Sequence, residues 1–200
     1  MITEIKVSGR GGLGAVTGAE ILANAAFLSK NFKDVSSFPT FGTERRGAPV
    51  HAFTRLSTDQ TIWTRQQIYN PDILVVIDET ILTEDLIKSI KPNGTFVLNT
   101  DKCAQEIVDL YNISDDITVV VSNVTHECYK YNLIVGGVPM VNTPSIALLA
   151  KVVDKLDLKY IEQAIEEQLG KSKAELNLKV AEIAFENADM RKGKSKGGKD

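Results

Sequence analysis

Ser8-Gly9-Arg10-Gly11-Gly12-Leu13-Gly14 is the stretch on which the reading of the fold turns. Just before it, in residues 2–7, Ile5 and Val7 alternate with Lys6 as in a half-buried strand. Just after it, residues 13–29 are rich in alanine and read as a helix. Gly14, Ala15, Gly18 and Ala19 would let that helix pack closely on a sheet. Residues 35–38 suit a short second strand. Strand, glycine loop, helix and strand are the opening of a doubly wound α/β domain.

Gly9, Gly11 and Gly14 also satisfy G-x-G-x-x-G. Glycine lets the backbone turn sharply and approach a ligand closely. Free N–H groups at a helix start favour an anion, and Arg10 adds a planar donor. Three readings stay open: a dinucleotide site, a cradle for another anion held jointly with a second chain, and a tight turn that binds nothing. A dinucleotide site calls for an acid at the end of the second strand. Ser36-Ser37-Phe38-Pro39 stand there, and Asp34 precedes the strand. This weighs against NAD(P), and a free-standing NAD(P)-binding oxidoreductase is kept as the alternative.

Further on, Phe38-Pro39-Thr40-Phe41-Gly42-Thr43-Glu44-Arg45-Arg46-Gly47-Ala48-Pro49 is a loop framed by glycine and proline. Its two arginines suit a planar anion or an interface. Residues 50–56 alternate as a strand, and residues 60–64 are expected to pair with them in a hairpin. Ile73-Leu74-Val75-Val76-Ile77 is a continuous apolar run, as in a buried parallel strand. Residues 83–90 fit a helix stopped by Lys91-Pro92-Asn93-Gly94. Residues 95–98 and 117–122 add strands. The last third reads as helical: Thr143-Pro144 as a cap and first turn, Asp157 as a second start with Gly170 as its stop, and Ser172-Lys173-Ala174-Glu175 as a capping box. The fold class expected is a single doubly wound α/β domain with a mostly parallel sheet, a β-hairpin insertion and a helical C-terminal third. Residues 1–189 form the domain, and 190–200 a basic, glycine-rich, flexible tail.

A chain of 200 residues with 43% hydrophobic and 24% charged residues suits one soluble core. The net charge of -3 argues against a broad basic face for nucleic acid. No apolar run reaches the roughly 18 residues of a membrane span. Cys103 and Cys128 lie far apart without a C-x-x-C, so they read as free thiols of a cytoplasmic protein and frame no metal or iron–sulfur site by themselves. His51 and His126 show no nucleophile partner. No catalytic residue is assigned.

The two loops together resemble the gamma subunit of 2-oxoacid:ferredoxin oxidoreductases. Ile68-Tyr69-Asn70-Pro71-Asp72 and Val141-Asn142-Thr143-Pro144 agree in order and spacing, and the resemblance spans residues 2–185. Glu44-Arg45-Arg46-Gly47-Ala48-Pro49 is most like the pyruvate type (pyruvate synthase). Leu13, where the family often has glutamine, and Ser145-Ile146-Ala147, where it more often has Met-Leu-Gly, depart from the pattern. The resemblance implies a complex that oxidatively decarboxylates pyruvate with coenzyme A to acetyl-CoA and CO2, passing electrons to ferredoxin. It implies alpha, beta and delta partner subunits. Thiamine diphosphate, Mg and [4Fe-4S] clusters would lie on or be shared with those partners. Gly9, Arg10, Gly11, Gly12, Gly14, Arg45 and Arg46 are the residues expected to meet coenzyme A phosphates or an interface. Oxidoreductases for 2-oxoglutarate or 2-oxoisovalerate are the other members considered.

Overall fold

β1 (Ile2–Arg10) runs through the middle of the sheet, with buried Ile5 and Val7 on one face. The structure is a computed structural model and describes residues 1–40 and 46–193. The glycine loop turns the chain into α1 (Ala15–Ser29), which ends at Lys30 in the left-handed region, φ 56. β2 (Asp34–Pro39) and β3 (Pro49–Ser57) follow. Next come β4 (Ile73–Val76), a 3-10 turn at Glu79–Ile81 and α2 (Glu84–Lys88). β5 (Thr95–Asn99), α3 (Ala104–Tyr111), β6 (Thr118–Ser122) and α4 (Val124–Lys130) continue the alternation. A short hairpin of β7 (Ile134–Val135) and β8 (Val138–Pro139) turns at Gly136-Gly137, both at positive φ. α5 (Asn142–Ala147), a 3-10 turn at Leu148–Lys151, α6 (Leu158–Leu169), α7 (Lys171–Glu186) and β9 (Asp189–Arg191) complete the chain.

The seven strands lie in the order β2-β3-β1-β4-β5-β6-β9. β1, β4, β5 and β6 are mutually parallel. β3 is antiparallel to both β1 and β2, so β2 points the same way as β1. Five of the seven strands therefore share one direction, and only β3 and β9 oppose it. One face carries the larger core, where α1, α5, α6 and α7 bury residues such as Leu22, Ile146, Ile165 and Val180 over Ile5, Val75 and Val97. On the other face, α2 and α3 cover Leu74, Val76, Phe96, Leu98 and Val119. Helices on both faces and a mostly parallel sheet make the domain doubly wound, as its sequence leads one to expect.

Several local expectations change. The hairpin of residues 50–56 with 60–64 does not form: β3 pairs on both sides with β2 and β1, and residues 61–64 are in no strand. β3 is buried almost throughout, and both its edges are paired. α5 starts at Asn142, and Thr143 sends its hydroxyl to Asn177 Oδ1 at 2.7 Å instead of capping the helix. The Ser172–Glu175 capping box is absent because α7 begins at Lys171 behind Gly170, whose φ is 75. A capping box does exist at Cys103 and Glu106, opening α3. The domain also extends past residue 189: Met190 and Arg191 pair with β6, and Arg191 donates to Ile117 O at 3.2 Å. The rest of the expected tail, residues 194–200, lies outside the described residues.

Candidate functional site

The glycine loop and the arginine-bearing loop meet. Gly11 N donates to Ala48 O at 2.8 Å, and Gly47 N donates to Gly11 O at 3.0 Å. The β1–β3 pairing thus continues into the loops, and it takes up the Gly11 N–H that a bound anion would otherwise use. Gly12 is at φ 98, and a Cβ there would stand 3.8 Å from Arg46 Cγ. The exposed Arg46 therefore lies along Gly12. Arg45, with residues 41–44, lies outside the described residues.

Gly9 and Gly14 have packing reasons, and Gly12 a backbone one, its positive φ. A Cβ on Gly9 would come within 2.6 Å of Ile77 Cγ1, so the end of β1 can sit against the chain leaving β4 only without a side chain. Gly14 precedes α1 at φ 81, and its Cβ would stand 2.5 Å from Asn142 Nδ2. Arg10 spends its guanidinium on neighbouring loops while its side chain stays partly exposed. Its Nε donates to Thr80 Oγ1 at 2.8 Å and lies 3.2 Å from Asp78 Oδ2, NH1 donates to Gly47 O at 2.8 Å, and NH2 donates to Thr80 O at 3.3 Å. Arg10 clamps three segments: the arginine loop, the glycine loop and the turn after β4.

Beside this clamp is an open cleft of about 490 Å³ at the carboxyl ends of the parallel strands. Leu13 from the glycine loop, Asp78 and Glu79 after β4, Thr100 after β5, and His126 and Tyr129 on α4 line it. This is where the strand order reverses between β1 and β4, the usual place for a ligand in a doubly wound sheet. Its walls are held by their own bonds. Asn99 Nδ2 donates to Ile77 O at 3.0 Å and to Thr125 Oγ1 at 2.8 Å, and Thr125 N returns a bond to Asn99 Oδ1 at 3.1 Å. Thr100 Oγ1 donates to Glu79 Oε2 at 2.7 Å, while Lys102 Nζ lies 2.9 Å from Glu79 Oε1. The two carboxylates after β4 thus each have a cation, Arg10 for Asp78 and Lys102 for Glu79. The cleft residues escape a motif search because they come in short runs from five separate segments. The signal that finds them is positional: Thr100 directly follows the apolar strand β5, and Asn123 follows β6.

Residues 4–187 match the family described as pyruvate ferredoxin/flavodoxin oxidoreductase. The chain belongs to this family. It is 40% identical over 91% of its length to the pyruvate/ketoisovalerate oxidoreductases common subunit gamma of Thermococcus kodakarensis, covering 95% of that protein. It is 39% identical to the pyruvate synthase subunit PorC of Methanocaldococcus jannaschii, over 91% of this chain and 94% of that one. The crystal structure of the pyruvate oxidoreductase subunit PORC of Thermotoga maritima superposes with a TM-score of 0.78 at 27% identity, covering 94% of this chain and 98% of that one. The family assignment agrees with the resemblance carried by the two loops, which the structure joins by hydrogen bonds.

The donor set does not fit an iron–sulfur cluster or a metal. Among the described residues no three His, Cys, Asp or Glu side chains are placed to hold an ion. Cys103 is exposed, whereas Cys128 is buried, and burial, with Glu127 beside it, pushes its thiol up to about 12. A thiol held that far above its ordinary range carries almost no thiolate at neutral pH. His51 accepts or donates at Nδ1 to Ser8 Oγ at 2.9 Å, and burial together with nearby Lys6 lowers its pKa to about 4. Ser8 Oγ and His51 thus form a hydrogen-bonded hydroxyl–imidazole pair that the sequence did not show, but Ser8 is fully buried, so its hydroxyl is closed to a substrate. Among the described residues no helix is long and apolar enough to cross a membrane.

Proposed function

We propose that this chain is the gamma subunit of a multi-subunit pyruvate:ferredoxin oxidoreductase. The observation that carries the reading is the match to gamma-type subunits along nearly the whole of both chains. In this reading the complex oxidises pyruvate with coenzyme A to acetyl-CoA and CO2, and electrons leave through ferredoxin. In the same reading, alpha, beta and delta partners hold thiamine diphosphate, Mg and the [4Fe-4S] clusters. Thiamine diphosphate supplies the electron sink for decarboxylation when bound. The Glu44-Arg45-Arg46-Gly47-Ala48-Pro49 form favours pyruvate over 2-oxoglutarate or 2-oxoisovalerate.

This chain's share is to position coenzyme A. Arg46, exposed along Gly12, offers its guanidinium group to a phosphate, and Arg45, next to it in the sequence, is the second candidate for that contact. Gly9, Gly11, Gly12 and Gly14 fix the loop that carries this contact, and Arg10 clamps it from behind. The neighbouring cleft presents hydroxyl and amide groups beside the apolar Leu13, Ile77 and Val141, with Asp78 and Glu79 already matched to cations, so it suits an uncharged part of the molecule. A free-standing NAD(P) enzyme is disfavoured by β3. That strand stands between β1 and β2, moving the end of β2 one further strand spacing, about 5 Å, from the glycine loop.

The test is steady-state kinetics of the assembled complex with pyruvate and a ferredoxin. Arg46→Ala is expected to raise the KM for coenzyme A about tenfold, with kcat and the KM for pyruvate within about twofold, as for the loss of one charge-assisted contact of about 1.4 kcal/mol. An unchanged KM for coenzyme A in both Arg45→Ala and Arg46→Ala would remove the phosphate role from this loop.

A further inference from the structure

The second face of the sheet is covered unevenly. The side chains buried under α2 and α3 come from β4, β5 and β6. On β1, Lys6 and Ser8 stand opposite Leu74 and Val76 of β4 on one side, and opposite Phe53 and His51 of β3 on the other. Side chains directly opposite each other in a sheet share a face, so Lys6, Ser8, His51 and Phe53 lie on the α2–α3 side, beyond the reach of those helices. There Phe53 and Phe38 pack against Ile68, with Phe38 and Phe53 ring centroids 5.5 Å apart. The chain crosses this half as an extended segment, residues 61–68, fixed at one end by Ile62 N on Asp34 Oδ2 at 2.7 Å and at the other by buried Ile68.

Two features of this half are costly in an isolated chain. The first is Lys6. Three nearby cations have carboxylates: Arg55 lies on Glu4 at 2.9 Å, Arg10 lies 3.2 Å from Asp78, and Lys91 bridges Glu4 at 2.9 Å and Asp72 at 3.0 Å. Half-buried Lys6 has no carboxylate among the described residues, and burial lowers its pKa. His51 is its near neighbour and spends one ring nitrogen on Ser8. A half-buried ammonium beside a histidine is unfavourable without a counter-charge. The second feature is Trp63, 90% exposed on the extended segment that crosses the same half. A fixed, exposed indole is the kind of side chain that anchors protein interfaces. The open cleft is elsewhere, at the strand ends and on α4.

We propose that the helix-free half of this face is a docking surface for another subunit, entered by an Asp or Glu carboxylate of that subunit between Lys6 and His51, with Trp63 as the apolar anchor at its edge. The occupant is a protein because a carboxylate would supply the counter-charge that Lys6 lacks, and the exposed Trp63, on the segment whose far end packs on this face, offers an apolar contact, whereas a small anion would satisfy only the first. This rests on the gamma-subunit reading and adds to it the face and the charge through which the chain is held.

Amine acetylation of the purified native complex and of the isolated chain, followed by mass spectrometry, tests it. Lys6 is expected to label at least tenfold more slowly in the complex. Carbodiimide treatment of the complex is expected to join Lys6 to an acidic residue of another chain. Lys6→Glu should reduce recovery of partner chains at least tenfold while the isolated variant keeps its circular dichroism spectrum; Lys6→Arg should retain them, and Trp63→Ala should weaken recovery. Equal labelling of Lys6 in an assembled complex and in the isolated chain would overturn this inference alone. So would full protection of Lys6 in the isolated chain by millimolar inorganic phosphate, which would make the place a small-anion site. Recovery of the chain with no partners at all would overturn the gamma-subunit reading as well.

Discussion

Gly14 combines a left-handed backbone, φ 81, with a neighbour, Asn142 Nδ2, that stands 2.5 Å from where a Cβ would be. Both terms oppose any side chain, so Gly14→Ala is expected to destabilise the chain by about 2–4 kcal/mol in denaturant unfolding. Gly136→Ala is the control, because Gly136 has φ 58 but nothing within 4 Å. It should cost about 1 kcal/mol. The glycines were visible in the sequence; their reasons were not, because Asn142 and Ile77 reach them only through the fold. His51 gives a second residue-scale test. Its folded pKa of about 4 lies below the ordinary 6.5, first through burial and then through Lys6. The unfolded chain therefore binds a proton before the folded one does, and stability present above pH 6.5 is lost as pH falls toward 4. Melting temperatures of the isolated chain across that window should fall less steeply for His51→Gln than for wild type. Parallel curves would show that His51 is not the group responsible.

At the scale of elements, β3 is the feature that separates this domain from a dinucleotide fold. It inserts antiparallel between β1 and β2, and its far end is tied down by charge. Arg55 on β3 is almost fully buried and reaches Glu4 Oε1 at 2.9 Å, beneath Phe38 at 5.6 Å from the ring centroid. Burial alone would push Glu4 up, but hydrogen bonds from Lys91 and Arg55 outweigh it and hold the carboxyl below its ordinary range. Glu4→Gln leaves Arg55 buried without its counter-ion, whereas Lys91 keeps Asp72. The expected cost is about 2–4 kcal/mol, read by urea unfolding at pH 7. A change under about 0.5 kcal/mol would mean that Arg55 finds compensation without Glu4. The strand itself was legible from its alternating residues, but its pairing was not. Period two says that a segment is extended; it does not say which edges it joins. For the same reason the hairpin was expected with residues 60–64, which instead form part of the extended segment leading to Ile68.

For the whole molecule, the order of motifs along the chain was enough to suggest the family, and the family match bears that out. The doubly wound sheet followed from its alternation of strands and helices. The cleft did not, because Leu13, Thr100, His126 and Tyr129 meet only when four strand ends are brought to one side of the sheet. This chain carries a clamped loop beside an open cleft; under the proposed function and the further inference it also carries a docking face and leaves the redox chemistry to partners. Affinity purification of the tagged chain from its native host, with native mass spectrometry, iron determination and a pyruvate- and coenzyme A-dependent ferredoxin reduction assay on the same fractions, addresses that division most directly. The predicted result is that the chain elutes with larger subunits, iron and activity, and that the isolated chain has neither iron nor activity. Elution alone from the native host, or turnover by the isolated chain, would contradict it.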